Sequence, residues 1–217
     1  LKNARETGQA AAQLFALDFI TWLHIWRGDY AAANPLLDEA VALADEKGAP
    51  FWKADAMMCQ GWLLASTGKA LSAVQMITSG IAVWRSTGST LWIPFYLSHL
   101  AAAHAELGLF DDAWRCIGEA MTAVATTKES WCEAEVHRVA GEIVLKSPAP
   151  DTAKAQAYFE RSLAVARQQQ AKSWELRAAM SMARLWRDQG RRDEARNLLT
   201  PVYGWFTEGF DTLDLKE

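Results

Sequence analysis

Apolar residues recur at helical spacing along almost the whole chain, and short glycine- or proline-bearing breaks interrupt them at regular intervals. Residues 10–27 set the pattern: Leu14, Leu17, Phe19, Ile20, Leu23 and Ile25 recur at the spacing of an amphipathic helix. The same reading predicts helices over 29–47, 51–67, 69–86, 91–107, 109–127, 130–146, 151–170, 173–189 and 191–207. Asp111 and Asp112 favour one helix start through the peptide dipole, and Asp151 or Thr152 offers an N-cap to another. Pro201 is expected to kink or end the last long helix, and Gly204 and Gly209 reinforce the stop. Residues 208–217 read as the start of a truncated further helix, capped by Thr212 or Asp214. No stretch alternates apolar and polar residues convincingly, so no strand is expected.

The breaks are periodic. Gly28, Gly68 and Gly108 are evenly spaced, and Gly190 follows after close to two more of the same intervals. The missing break falls at residues 146–151 (KSPAPD), where prolines end a helix and glycine elsewhere supplies the left-handed residue of a tight helix turn. Five positions past each break stands an alanine: Ala33, Ala73, Ala113, Ala155 and Ala195. Four positions later stands a large apolar side chain: Leu37, Ile77, Ile117, Phe159 and Leu199. A small-residue column, Thr21, Gly61, Ala101, Gly141 and Ala183, precedes the breaks, and Trp52, Trp92, Trp131 and Trp174 open four of the first helices. Small residues facing alanines let paired helix axes approach, and the large residue is expected to fill the gap to the next hairpin.

These columns predict an all-α fold, an α-solenoid of about five antiparallel hairpins (10–47, 51–86, 91–127, 130–170 and 173–207) with a period of about 40 residues. Residues 1–217 are expected to form a single repeat domain.

Composition narrows the function. Half the residues are hydrophobic (51%) and 22% are charged, as in a folded chain. The formal net charge of −4 gives no electrostatic reason to expect nucleic acid or an anionic membrane as partner. Cys59, Cys116 and Cys132 are odd in number and lack paired-ligand spacing, so they read as buried reduced thiols of a cytoplasmic protein. The most apolar run, residues 91–103, is too short to span a bilayer. The N-terminus has no basic-then-apolar signal pattern. The chain starts at Leu1 without methionine and stops just after a helix start, so both ends read as boundaries within something longer.

No catalytic motif is legible. Gly68-Lys69 lacks the upstream glycine of a phosphate loop, and there is no HExxH, Cys-x-x-Cys or Gly-x-Ser-x-Gly. His24 and His104 share a repeat position and read as partly buried core histidines; His99 and His104 do not share a helix face. Asp111-Asp112 and Glu133-Glu135 read as solvated or dipole-favoured. No catalytic residue, metal ligand or cofactor is expected.

Gly61, Gly68, Ala73 and Ile77, and most literally Gly141, Ala155 and Phe159, resemble the tetratricopeptide repeat: a small residue in the first helix, a turn glycine, then Ala-x3-Phe in the second. The period is longer than that family's by nearly a turn per helix, and HEAT-like repeats, with their longer period, remain the alternative architecture. The tail 184–217 is similar to the C-terminal end of large bacterial signalling proteins. Those join an adenylate-cyclase-type or DNA-binding region, a STAND-type regulatory ATPase and a repeat array.

The resemblance implies a right-handed superhelix with a concave face lined by first helices. Its positions are Phe15, Asp18, Trp22 and Trp26, then Asp55, Met58 and Trp62, then Phe95 and Ser98. Glu135, Arg138 and Glu142 follow, and finally Arg177, Arg184 and Arg187. An aromatic N-terminal half would give way to a charged C-terminal half. Eleven tryptophans is many for this length. Trp22, Trp26 and Trp62 serve either as gap-filling side chains or as a peptide-anchoring surface, where Trp and Arg are common hot spots. The implied function is a non-catalytic protein-interaction or regulatory module. Its partner would be a protein, a peptide or the missing domains of its own parent chain, with a homodimer also possible. The alternative is a small-ligand sensor arm controlling an upstream ATPase or cyclase domain.

Overall fold

A computed structural model describes residues 1–6 and 8–216. They form α1 (Lys2–Glu6), α2 (Ala10–Trp26), α3 (Tyr30–Glu46), α4 (Pro50–Ser66), α5 (Ala70–Ser86) and α6 (Ile93–Glu106). These are followed by α7 (Phe110–Thr127), α8 (Glu133–Lys146), α9 (Thr152–Gln168), α10 (Lys172–Asp188), α11 (Arg192–Tyr203) and α12 (Leu213–Lys216). No strand occurs among the described residues. The chain divides into two compact units, residues 1–91 and 92–217.

In unit 1, α2 pairs with α3 and α4 with α5, and α4 also packs on α2 and α3. Helices α2 to α5 are each 17 residues long. The chain turns between and after them at Gly28, Gly48, Gly68 and Gly88, all with φ between 60° and 82°. In unit 2 the pairs are α6–α7, α8–α9 and α10–α11; α8 packs on the first pair and α10 on the second. Left-handed residues persist there at Gly108, Lys128, Gln170 and Gly190. The repeat is thus built from half-units, each one helix and one turn.

The small-residue column marks where paired helices touch. A Cβ built on Gly61 would lie 2.4 Å from Ile77 Cγ1, and one on Gly141 would lie 2.4 Å from Phe159 Cε1. The large residue of the second helix therefore lies over the small residue of its own hairpin, rather than in the gap to the next hairpin as expected. The physical reason is reach: a missing side chain at the crossing is the one space close enough to hold a ring or branched chain without parting the helices. Gly80 on α5 repeats the device, meeting Met58 and the Ala54 carbonyl of α4.

Four sequence expectations need correction. The sequence pattern gives no sign of α1, whose five residues are too few to show periodicity. Helices α6 and α8 start two to three positions later than expected, so Trp92 and Trp131 precede them instead of opening them. Glu129 explains the offset. Its carboxylate accepts from the Trp92 backbone N–H (2.8 and 2.9 Å) and from Trp131 Nε1 (2.9 Å), and Trp92 sits at φ 63°. Next, α11 continues through Pro201 but ends at Tyr203, directly before Gly204 and short of the expected residue 207. Finally, the terminal helix is the single turn Leu213–Lys216, and its expected last residue, Glu217, lies outside the described residues. Asp151 does cap α9, accepting from Lys154 N–H at 2.9 Å, and Cys59, Cys116 and Cys132 are buried thiols outside any disulfide.

Candidate interaction surfaces

In unit 1, Trp22, Trp26 and Trp62 come together. Trp22 and Trp26 are one helical turn apart on α2, and Trp62 reaches them from α4. Ring centroids lie 5.2, 5.4 and 5.7 Å apart in edge-to-face arrangements. Trp22 and Trp62 are buried, and Trp26 is half-buried at the edge. Phe15 is open, 54% exposed, and shares α2 with Phe19 (47%) and Leu23 (59%). Their i, i+4, i+8 spacing sets these three on one face, a solvent-facing apolar stripe on a helix that is apolar nearly all round. Phe15 contacts Phe19 at 4.5 Å and Trp52 at 6.3 Å.

Beneath this surface, α2 and α4 bury two carboxyl groups together. Asp18 and Asp55 are hydrogen-bonded, and Cys59 Sγ lies 3.8 Å from Asp18 Oδ1. Burial pushes the Asp18 carboxyl above its ordinary 3.8, against the hydrogen bonds from Asp55 and Cys59 that oppose it. Asp18, Asp55 and Cys59 are residue types that bind metal, each offering one ligand atom within 4.8 Å of the others. The space among them is about 10 Å³, at the lower limit for one water. That space and the raised carboxyl fit a proton shared between the two acids. Neither Asp55 nor Met58 reaches solvent: Asp55 faces Asp18, and Met58 lies over Gly80. The sequence reading places both on the open face, and the neighbouring helix covers them.

In unit 2 the expected charged residues form a closed ion network. Arg138 grips the buried Glu135 with two parallel bonds, Nε to Oε2 at 2.8 Å and Nη2 to Oε1 at 2.7 Å, and reaches Glu142 Oε1 at 3.4 Å. Ser181 of α10 donates to the same Glu142 oxygen at 2.6 Å, and Arg184 lies 3.5 Å from it. Burial raises the Glu135 carboxyl, but Arg138 and Arg177 override it and hold the group at about 2. Burial also drives His99 down to about 3, so the imidazole is neutral beside this network. Arg177 pairs with Asp214 of α12 at 2.7 Å and lies over the Trp174 ring. Arg187 stands apart, exposed and paired with Asp188. Phe95 and Ser98 are buried, Phe95 stacked 5.1 Å from Trp131 and Ser98 bonded back to the Phe95 carbonyl. Glu135 and Phe95 thus support unit 2 from within instead of lining a face.

Sequence reading missed Ser181, Asp214 and the exposed Phe19 and Leu23. The last two carried a signal, since they continue the Phe15 stripe one helical turn at a time. No helix among the described residues is long and apolar enough to cross a membrane.

No family model and no curated protein matches the chain. Among solved structures it is similar to BtubC (BKLC) from P. vanneervenii, with 18% identity and a TM-score of 0.67, over 93% of this chain and 84% of that one. It is also similar to a Podosopora anserina putative kinesin light chain of nearly identical TPR-like repeats. That match has 16% identity and a TM-score of 0.56, over 88% of this chain and 93% of that one. A point variant of the same protein matches at 17% identity with the same score and coverage. At these identities the likeness is one of fold. The chain has the fold of an all-α solenoid of paired helices, with a TPR-like architecture.

Proposed function

We propose that this chain is a non-catalytic protein-interaction and regulatory module, and that the apolar face of α2 binds a peptide or partner domain. The observation that carries the reading is the stripe Phe15–Phe19–Leu23, flanked by the half-open Trp26 of the indole cluster. Large apolar side chains exposed in a row cost solubility, and such patches mark contact surfaces on soluble proteins. Edge-to-face packing with Trp22 and Trp62 holds the Trp26 ring in place, which lowers the entropy lost on binding. The fold supports the reading, because repeats of this type are generally implicated in protein–protein contacts. The tail's similarity to bacterial signalling proteins supports the finer part: a cytoplasmic regulatory array, residues 1–217, serving an ATPase or cyclase domain of a larger parent chain.

Selection of a displayed random-peptide library against the chain tests this. Enriched peptides should bind the Phe15→Ser/Leu23→Ser variant at least about tenfold more weakly, a loss of about 1.4 kcal/mol. The variant should keep its fold, because both side chains stand in solvent. No enrichment, or equal binding to both proteins, overturns the reading.

A further inference from the structure

The joint between the first two hairpins of unit 1 holds two acids and no cation. Helix α2 packs on α4 there, and Asp18 of α2 and Asp55 of α4 are buried and hydrogen-bonded to each other. An ionised carboxylate only accepts hydrogen bonds, so that bond needs a proton on one of the two acids. Trp22 N–H and Cys59 S–H also donate to Asp18. The other side chains around the space are Leu14 and Thr21 of α2, Leu37 and Ala40 of α3, and Trp52 and Ala56 of α4. The Thr21 hydroxyl is engaged elsewhere, donating to the Leu17 carbonyl at 2.7 Å. The titratable groups facing Asp18 are therefore Asp55 and Cys59, both from α4. Helix α3 brings none, and α1, which also packs on α2, pairs its Arg5 with Glu39 of α3. No Lys, Arg or His lines the space among the described residues.

Unit 2 treats a buried acid differently. Arg138 grips Glu135 with two bonds, and that carboxylate stays charged. The unit 1 pair has no such partner, so its charge is set by the proton. With one proton the pair carries a single negative charge, met by the Trp22 and Cys59 donors. Without it, two anions stand in contact inside an apolar joint, an arrangement that burial and like charge both oppose. The relief open to the fold is to admit water between α2 and α4. The indole cluster straddles the same joint: Trp22 and Trp26 stand on α2 and Trp62 on α4, with ring centroids 5.4 and 5.7 Å apart across it. Whatever parts the helices also parts these rings.

We propose that the Asp18–Asp55 pair is a proton-operated latch. Holding one proton, it keeps α2 docked on α4; losing that proton to solvent as pH rises, it parts the two helices and opens the indole cluster beside the α2 face. As regulation of the α2 contact face this rests on the proposed function: the partner binds on the acid side of the transition and is released on the alkaline side. The latch itself does not depend on that reading.

The test uses the full chain in a metal chelator, so that no metal competes for the same three side chains. Hydrogen exchange is followed from about pH 4 upward and expressed as protection factors, which removes the intrinsic pH dependence of exchange. Protection in α2 and α4 should fall at least about tenfold through one transition, while α8 keeps its own. In Asp55→Asn the amide donates to Asp18 without a titratable proton, so the transition should vanish; Asp18→Asn places the amide on the other side and serves if the first variant does not fold. Cys59→Ser should keep the transition. Protection in α2 that does not change with pH, or a transition that persists in the Asn variants, overturns the latch. A transition lost in Cys59→Ser alone makes the thiol the switch and overturns it too. Library-selected peptides should bind the parent chain at least tenfold more weakly above the transition and bind the Asn variant equally on both sides. Equal binding by the parent chain on both sides overturns the regulation. Failure to select any peptide ends the contact-face reading instead, and the exchange data still decide the latch.

Discussion

Replacing Gly141 by alanine tests the packing that sets the repeat. The added Cβ would lie 2.4, 2.7 and 3.0 Å from three carbons of the Phe159 ring. Carbon pairs are comfortable at roughly 3.5–4.0 Å, so α8 and α9 must separate by about 1 Å. The ring is fully buried and cannot swing into solvent. Overpacking of this kind costs about 1–3 kcal/mol, and alanine's higher helix propensity returns about 1 kcal/mol. The expected net is a loss of up to about 2 kcal/mol, or about 1–3 kcal/mol relative to a glycine-to-alanine change with no clash. Gly118→Ala is the control: Gly118 is exposed in α7 and its Cβ would meet nothing within 4 Å, so propensity alone acts and stability rises by about 0.5–1 kcal/mol. Urea denaturation followed by far-UV circular dichroism reads both. Phe159→Leu should cost less in the Gly141→Ala background than alone, a coupling of about 1 kcal/mol between touching side chains. A Gly141→Ala protein stabilised as much as the Gly118→Ala control would refute the close approach.

Further outcomes follow from the buried charges and the turns. Burial holds Asp18 above its ordinary 3.8, so folding takes up a proton, and unit 1 loses stability as pH rises from 3.8 through the folded value. Asp55→Asn, which removes the second acid and can donate to Asp18, should flatten that loss in urea titrations repeated across pH. Arg138→Met strands the buried Glu135 and should cost about 3–5 kcal/mol, whereas adding Glu135→Leu should recover most of it. Gln170 turns at φ 55°, and Gln170→Gly should raise stability by about 0.5 kcal/mol, read as a higher melting temperature.

The helices and their pairing were legible because glycine breaks and alanine columns repeat in the sequence itself. The half-period was legible only as far as Gly108. Beyond it, before glycine returns at Gly190, left-handed positions are held by Lys128 and Gln170, which look like ordinary surface residues. The ion network was legible within α8, where Glu135, Arg138 and Glu142 fall at helical spacing, but its partners Ser181 and Asp214 come from other helices. Exposure was the weak point. Asp55, Met58, Phe95 and Glu135 lie on the first helices as expected, yet whether a helix face is open depends on what packs over it, and one helix's periodicity does not carry that. The shared burial of Asp18 and Asp55, which stand on separate helices, has the same origin.

The claim that the α2 face makes the protein contact is tested most directly by photocrosslinking. A benzoylphenylalanine replaces Phe19 on the stripe or Glu160, exposed on α9, and each protein is irradiated with a library-selected peptide. The crosslink should form from position 19 and not from position 160. A peptide captured from position 160 and not from position 19 would contradict the account.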